Sequence, residues 1–79
     1  MENKVQLNQA VDLALHDQWD ASHQIVQNLE DEVAAWIHAV LHKIEGDIGN
    51  SQYWYRRAHR SYTDQDAKSE LMAIRESLL

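Results

Sequence analysis

The residues that interrupt helices are nearly missing from this chain of 79 residues. It contains no proline, and its two glycines, Gly46 and Gly49, lie close together. Because proline and glycine are the residues least compatible with a helix interior, their scarcity favours an all-α fold. A chain of this length is expected to form a single helical domain, over residues 1–79, with a small core.

Apolar residues recur at spacings of three and four along most of the chain, which predicts five helices. We predict two helical hairpins, at about 4–29 and 31–62, and a capping helix at about 64–79. The hairpin helices are expected at 4–16, 20–29, 31–45 and 48–62, with Asn3, Asp20 and Asp47 as N-caps. The third helix carries no Asp, Glu, Lys or Arg from Val33 to His42, so we expect it to be packed on both sides.

The two predicted hairpins align with each other at an offset of 29 residues. Matching positions have similar size and polarity, and they include Ala10 and Ala39, Ser22 and Ser51, and Val26 and Tyr55. Self-similarity at a fixed offset is typical of helical repeat proteins.

The second hairpin resembles the tetratricopeptide and Sel1-like repeats. The likeness lies in Ala39, the Gly46-Asp47 turn, Ser51, Tyr55 and Ala58. It implies stacked helical hairpins and a role in binding other proteins. The offset is shorter than the family's period of about 34 residues, the closing proline is missing, and His42 replaces a bulky aromatic residue. These departures favour a closed, compact bundle over an open superhelical groove.

The same hairpin is also similar to a group of small bacterial helical proteins that carry a stretch of the form HAxLHRxEGDxxNAxYWYRRA. The match covers about a quarter of the chain, at the positions from His38 to Ala58, with Lys43 and Ser51 as mild departures. This resemblance implies a bacterial protein and no particular activity.

Charge is unevenly distributed along the chain, whose formal net charge is −6. Residues 48–63 contain Arg56, Arg57 and Arg60 and no acidic residue. The overall sign disfavours a nucleic-acid partner. We expect the local positive charge to dock on acidic neighbours, with Glu45 and Asp47 pairing with Arg56 and Arg57 across the turn. The alternative is that the arginines serve a partner.

The cellular compartment is predicted from the absence of cysteine, of a long apolar run and of a secretion-signal pattern. There is no cysteine, which favours a reducing environment. No apolar run approaches the roughly 20 residues of a membrane span, and the start, Met1 to Lys4, lacks the pattern of a secretion signal. We therefore expect a cytoplasmic protein without a membrane partner.

Three potential metal ligands, His38, His42 and Glu45, recur on one stripe of the third helix. Histidines one turn apart can hold a transition metal, with a carboxylate as third ligand and His23 or His59 as a fourth. The alternative is that the imidazoles are neutral and hydrogen-bonded within the core. The spacing lacks the intervening glutamate of a metalloprotease helix.

Aromatic and guanidinium side chains cluster on the fourth helix, at Tyr53, Trp54, Arg57 and Arg60. This mixture is enriched where proteins bind each other. We therefore predict a protein-interaction or scaffold module that binds a partner or itself, with no cofactor and no catalytic residue. The alternative function is a metal- or small-ligand-binding protein that uses the His/Glu stripe, with catalysis left open.

Overall fold

The computed structural model describes residues 3–79, so Met1 and Glu2 of the N-terminal segment discussed above lie outside the described residues. The all-α prediction is confirmed. Five helices follow one another, and the described residues contain no strand: α1 Lys4–Leu15, α2 Trp19–Val26, α3 Glu32–Ile44, α4 Ile48–Arg57 and α5 Ala67–Ser77.

Helix α3 lies at the centre of the bundle, as its lack of charge predicts. It packs against each of the other four helices, and every residue from Ala34 to His42 is buried. Its first turn is fixed by Asp31, whose carboxylate accepts hydrogen bonds from the backbone N–H groups of Val33 and Ala34. The acidic run before α3 therefore begins the helix, where negative charge is favoured.

Several helix ends differ from the prediction. Helix α2 ends at Val26 instead of 29, and α5 begins at Ala67 instead of 64. Helix α2 begins at Trp19 with Gln18 as its N-cap, so Asp20 lies inside the first turn. Helix α4 ends at Arg57 instead of continuing to 62. There the chain reverses at His59, whose φ is 60°, and the Arg60 N–H bonds back to the Tyr55 carbonyl. The Asn3 side chain also makes no capping bond to α1.

The 29-residue repeat is present as repeated geometry. The Ser22 hydroxyl donates to the Ala10 carbonyl at 2.8 Å, and the Ser51 hydroxyl donates to the Ala39 carbonyl at 2.8 Å. The turns match as well, because Asp17 and Gly46 both have positive φ, at 63° and 86°. Each hairpin thus has an equivalent buried hydrogen bond between its two helices. Each also has a residue of left-handed backbone conformation at the equivalent position of its turn.

A buried carboxylate in α5, Glu70, joins three elements. Its oxygens accept hydrogen bonds from Trp36 Nε1 at 2.8 Å and from Lys43 Nζ at 2.6 Å, and both lie within 2.7 Å of the Tyr55 hydroxyl. Lys43 also donates to the backbone carbonyls of Thr63 and Gln65. These bonds fix the irregular segment between α4 and α5 against α3.

Candidate functional site

Three histidines from two helices meet at the interface between the hairpins. His38 and His42 lie one turn apart on α3, and His23 of α2 faces them. One nitrogen of each ring lies within 4.8 Å of the others. The ring centres are 4.6 Å apart for His23 and His38, and 4.9 Å apart for His38 and His42. These three side chains, which we call the histidine cluster, form one of two groups of described residues able to hold an ion.

His38 is the most enclosed member of the histidine cluster. It is 4 % exposed, and its Nδ1 atom has no hydrogen-bond partner among the described residues. Burial first, and then the charges of His23 and His42, lower the pKa of His38 from 6.5 to about 3. Its imidazole is therefore neutral at pH 7, with a lone pair available to a ligand.

Glu45 serves His42 from outside the histidine cluster. The His42 Nδ1–H donates to Glu45 Oε2 at 2.7 Å, which leaves the other ring nitrogen of His42 for an ion. The sequence predicted Glu45 as a ligand beside His38. The structure groups Glu45 instead with His42 and Asp47 at the surface. In this position Glu45 can act as a carboxylate that orients a metal-binding histidine.

The structure also separates the two histidines that the sequence offered as a fourth ligand. His23 joins the cluster, whereas His59 is exposed and hydrogen-bonds Glu32 at 2.7 Å. Nothing in the sequence ranked His23 above His59, because only the packing of α2 on α3 brings His23 to the site.

Two tryptophans flank the histidine cluster. The Trp19 indole stacks on His23 with ring centres 4.7 Å apart, and its Nε1–H donates to the Leu41 carbonyl. The Trp54 indole stacks on His38 at 3.9 Å. Flat aromatic walls on both sides limit the positions that the His23 and His38 rings can adopt.

The predicted interaction residues of α4 are brought together in part. The Arg57 guanidinium donates to the Tyr53 hydroxyl at 2.8 Å and lies 5.2 Å from the Trp54 ring. Tyr53 and Arg57 are exposed and Trp54 is half-buried. We call these three side chains the α4 surface. Arg60 lies apart from them, with its guanidinium 3.3 Å from the ring of Trp36.

The predicted pairing of the arginines with Glu45 and Asp47 is wrong. Within residues 3–79 no carboxylate forms an ion pair with Arg56, Arg57 or Arg60. Asp47 instead caps α4 through the Asn50 N–H. The arginines follow Asp47 by more than two helical turns, about 14 Å along the axis, so the tight turn cannot bring the charges together.

A cleft of about 370 Å³ opens beside the α4 surface. Trp54 and Arg57 form one side of it, and the other side comes from the end of α2, the following connection and the start of α3. The remaining lining residues are Gln27, Leu29, Glu30, Asp31, Glu32 and Ala35. The Trp54 indole therefore separates this cleft from His38.

Between residues 3 and 79, no helix has the length and apolar character required to span a membrane. Comparison of the chain with models of known protein families, with curated proteins and with solved structures found no match. The resemblances to helical repeat families therefore stay predictions, and the function has to be argued from these two sites.

Proposed function

We propose that the protein is a small interaction module that binds a partner protein at the α4 surface and the adjacent cleft. The observation that carries this proposal is that no carboxylate within residues 3–79 pairs with the arginines of α4, although the net charge of the chain is −6. A guanidinium held against the rings of Tyr53 and Trp54 is the combination of residue types enriched at binding hot spots.

Contacts within the chain position the side chains of the α4 surface without a partner. Arg57 is held by the Tyr53 hydroxyl and lies over the face of Trp54, and Trp54 is held in turn by stacking on His38. Side chains that are already fixed lose less conformational entropy on association. The aromatic rings supply apolar contact, and the guanidinium supplies directional donors.

The shape and charge of the cleft indicate what the partner offers. Leu29, Ala35 and Trp54 supply the apolar part of the lining of this cleft, whose size accepts one or two side chains. Arg57, the one basic residue of the lining, favours a carboxylate next to an apolar anchor. We therefore expect a partner segment that inserts an apolar side chain and places an acidic residue on Arg57. A long nucleic acid would meet Glu30 and Glu32 across the same cleft, which opposes its binding.

The test is capture of partners from the native host with the purified protein as bait, followed by mass spectrometry. The decisive variant is Arg57→Glu, which reverses a charge that no described carboxylate balances. The matched control is Arg56→Glu, which makes the same charge change on the neighbouring exposed residue, outside the cleft lining. We expect the captured protein to be lost with Arg57→Glu and retained with Arg56→Glu.

Equal recovery of the same protein with both variants would refute a binding site at the α4 surface. Sedimentation of the wild-type chain over a range of concentrations shows whether the partner is a second copy, since Arg57→Glu should then also shift the protein to monomer.

A further inference from the structure

We infer that His23, His38 and His42 form a binding site for a divalent transition-metal ion of the zinc type. This site is separate from the proposed partner surface and goes beyond that function. It rests on three observations: the convergence of three imidazoles, the unsatisfied nitrogen of His38, and the support of His42 by Glu45.

The separation of the three imidazole nitrogens is close to the separation of ligands in a tetrahedral metal site. Zinc binds imidazole nitrogen at about 2.0–2.1 Å, so two ligands of a tetrahedral site are about 3.3 Å apart. The three nitrogens of the cluster lie within 4.8 Å of one another. Binding requires the three rings to turn toward a common point. His38 and His42 lie on one helix, and only His23 belongs to the other hairpin.

The unsatisfied nitrogen is the observation that points to a ligand. Buried polar atoms in proteins nearly always have a partner, and an exception calls for an explanation such as a missing ion. His38 Nδ1 is the one buried side-chain nitrogen or oxygen of the described residues without a partner. Its ring is stacked between Trp54 and His42 and is 4 % exposed, so water has little access to it.

The His42–Glu45 pair is the arrangement that supports a metal-bound histidine. A ligating imidazole commonly donates its second N–H to a carboxylate, which fixes the tautomer and makes the ligand more basic. His42 donates Nδ1–H to Glu45 at 2.7 Å, and its other nitrogen then carries the free lone pair. Glu45 is thus a positioning residue for His42.

The ligand set selects the class of ion. Three imidazoles without any thiolate favour Zn²⁺, Co²⁺, Ni²⁺ or Cu²⁺ over calcium or magnesium, which prefer oxygen ligands. Three protein ligands also leave a fourth position for water or a small anion. Because His23 comes from the first hairpin and the other two from the second, the bound ion would link the two repeats.

The experiment uses chain purified without a histidine tag and stripped with a chelator. It is titrated with Zn²⁺ by calorimetry and with Co²⁺ by visible absorption, which reports four-coordinate geometry. We expect one ion per chain. His23→Gln should weaken Zn²⁺ binding by about 100-fold or more, beyond the roughly 10–100-fold typical for loss of a supporting carboxylate, which we expect for Glu45→Gln.

The matched control is His59→Gln, which removes an exposed histidine bonded to Glu32 and should leave the affinity unchanged. If His23→Gln binds Zn²⁺ as tightly as the wild type, the ion sits on the surface group of His42, Glu45 and Asp47 and the proposal fails. Substoichiometric binding by the wild type overturns it as well.

A second measurement is independent of whether the variants fold. X-ray absorption at the zinc edge of the wild-type complex counts imidazole ligands, and we expect three. A count of two or fewer contradicts the proposal. Arg57→Glu should bind Zn²⁺ normally, so failure of the partner surface and failure of the metal site are distinguishable.

Discussion

Asp17 and Gly46 occupy the same left-handed backbone position in the two hairpins, with φ of 63° and 86°. Both follow the last turn of a helix and let the chain reverse into the next one. A side chain at positive φ is strained unless the residue is glycine, and Asp and Asn tolerate the position best. At the residue scale, the two repeats therefore agree in backbone conformation at this position although the residues differ.

The two glycines should respond in opposite directions to substitution by alanine. A methyl group added at either position meets nothing within 4 Å, so backbone conformation alone decides the effect. Gly46→Ala should lower the free energy of unfolding by about 1 kcal/mol because of its positive φ. Gly49→Ala, inside α4, should raise it by about 0.5–1 kcal/mol. Chemical denaturation of both variants checks this, and a change of the same sign in both would contradict it.

At the element scale, buried polar bonds decide how the helices join. Ser22 and Ser51 tie the two helices of each hairpin together, and Glu70 ties α5 to α3 and α4. The serines could be anticipated from the repeat. Glu70 could not, since one acidic residue in an amphipathic helix is normally assigned to solvent. A signal was present in Trp36 and Tyr55, whose polar groups require partners when buried.

Loss of Glu70 should destabilise the protein strongly. Glu70→Ala leaves the Lys43 ammonium, the Tyr55 hydroxyl and the Trp36 N–H without their acceptor, and we expect about 3–5 kcal/mol lower free energy of unfolding. Glu70→Gln keeps one acceptor oxygen and should lose less.

The matched substitution Glu76→Ala removes an exposed carboxylate from the same helix and should change the unfolding free energy little. Urea denaturation monitored by circular dichroism measures all three variants. A similar loss in Glu76→Ala and Glu70→Ala would show that burial of the carboxylate is not the cause.

At the scale of the whole molecule, one helix organises both candidate sites. Helix α3 carries His38 and His42 toward α2 and α4, and Trp36 toward Glu70 of α5. Trp54 lies between the histidine cluster and the cleft of the α4 surface. The two sites are thus structurally adjacent although their proposed ligands differ.

The buried histidine should make the metal-free protein sensitive to acid. His38 is faced by His23 from α2, by His42 and its partner Glu45, and by the uncharged Trp54 of α4. Its pKa is lowered to about 3, so below pH 6.5 the unfolded chain binds a proton there that the native chain does not. Stability should therefore fall as the pH drops from 6.5 toward 3 and should not depend on this group above 6.5.

The check is the thermal midpoint of chelator-treated protein over that pH range, compared with His38→Gln. The carboxylates titrate in both proteins, so the difference between the two curves isolates His38. We expect the wild type to lose more stability than His38→Gln on acidification. Parallel curves would mean that His38 is protonated in the folded state as easily as in the unfolded one.

The sequence by itself determined the class of fold, the number of helices and the position of the turn between α3 and α4. Scarce helix breakers, apolar spacing and the uncharged third helix predicted five helices with α3 enclosed, and the Gly46-Asp47 pair marked the turn after that helix. These features are local, because propensity, periodicity and capping act over a few residues. The helix stripe bearing His38 and His42 was predictable for the same reason.

Only the tertiary structure decided which distant residues meet. In the structure His23 contacts His38, His59 hydrogen-bonds Glu32 and Glu70 pairs with Lys43. No carboxylate of the described residues pairs with the arginines of α4. These contacts depend on helix packing and on the chain reversal at His59, which spacing within one helix cannot report. The physical reason is that pairing between side chains of different helices depends on burial and on competition among all the polar groups in the core. A sequence pattern indicates only the face of its own helix on which each side chain lies.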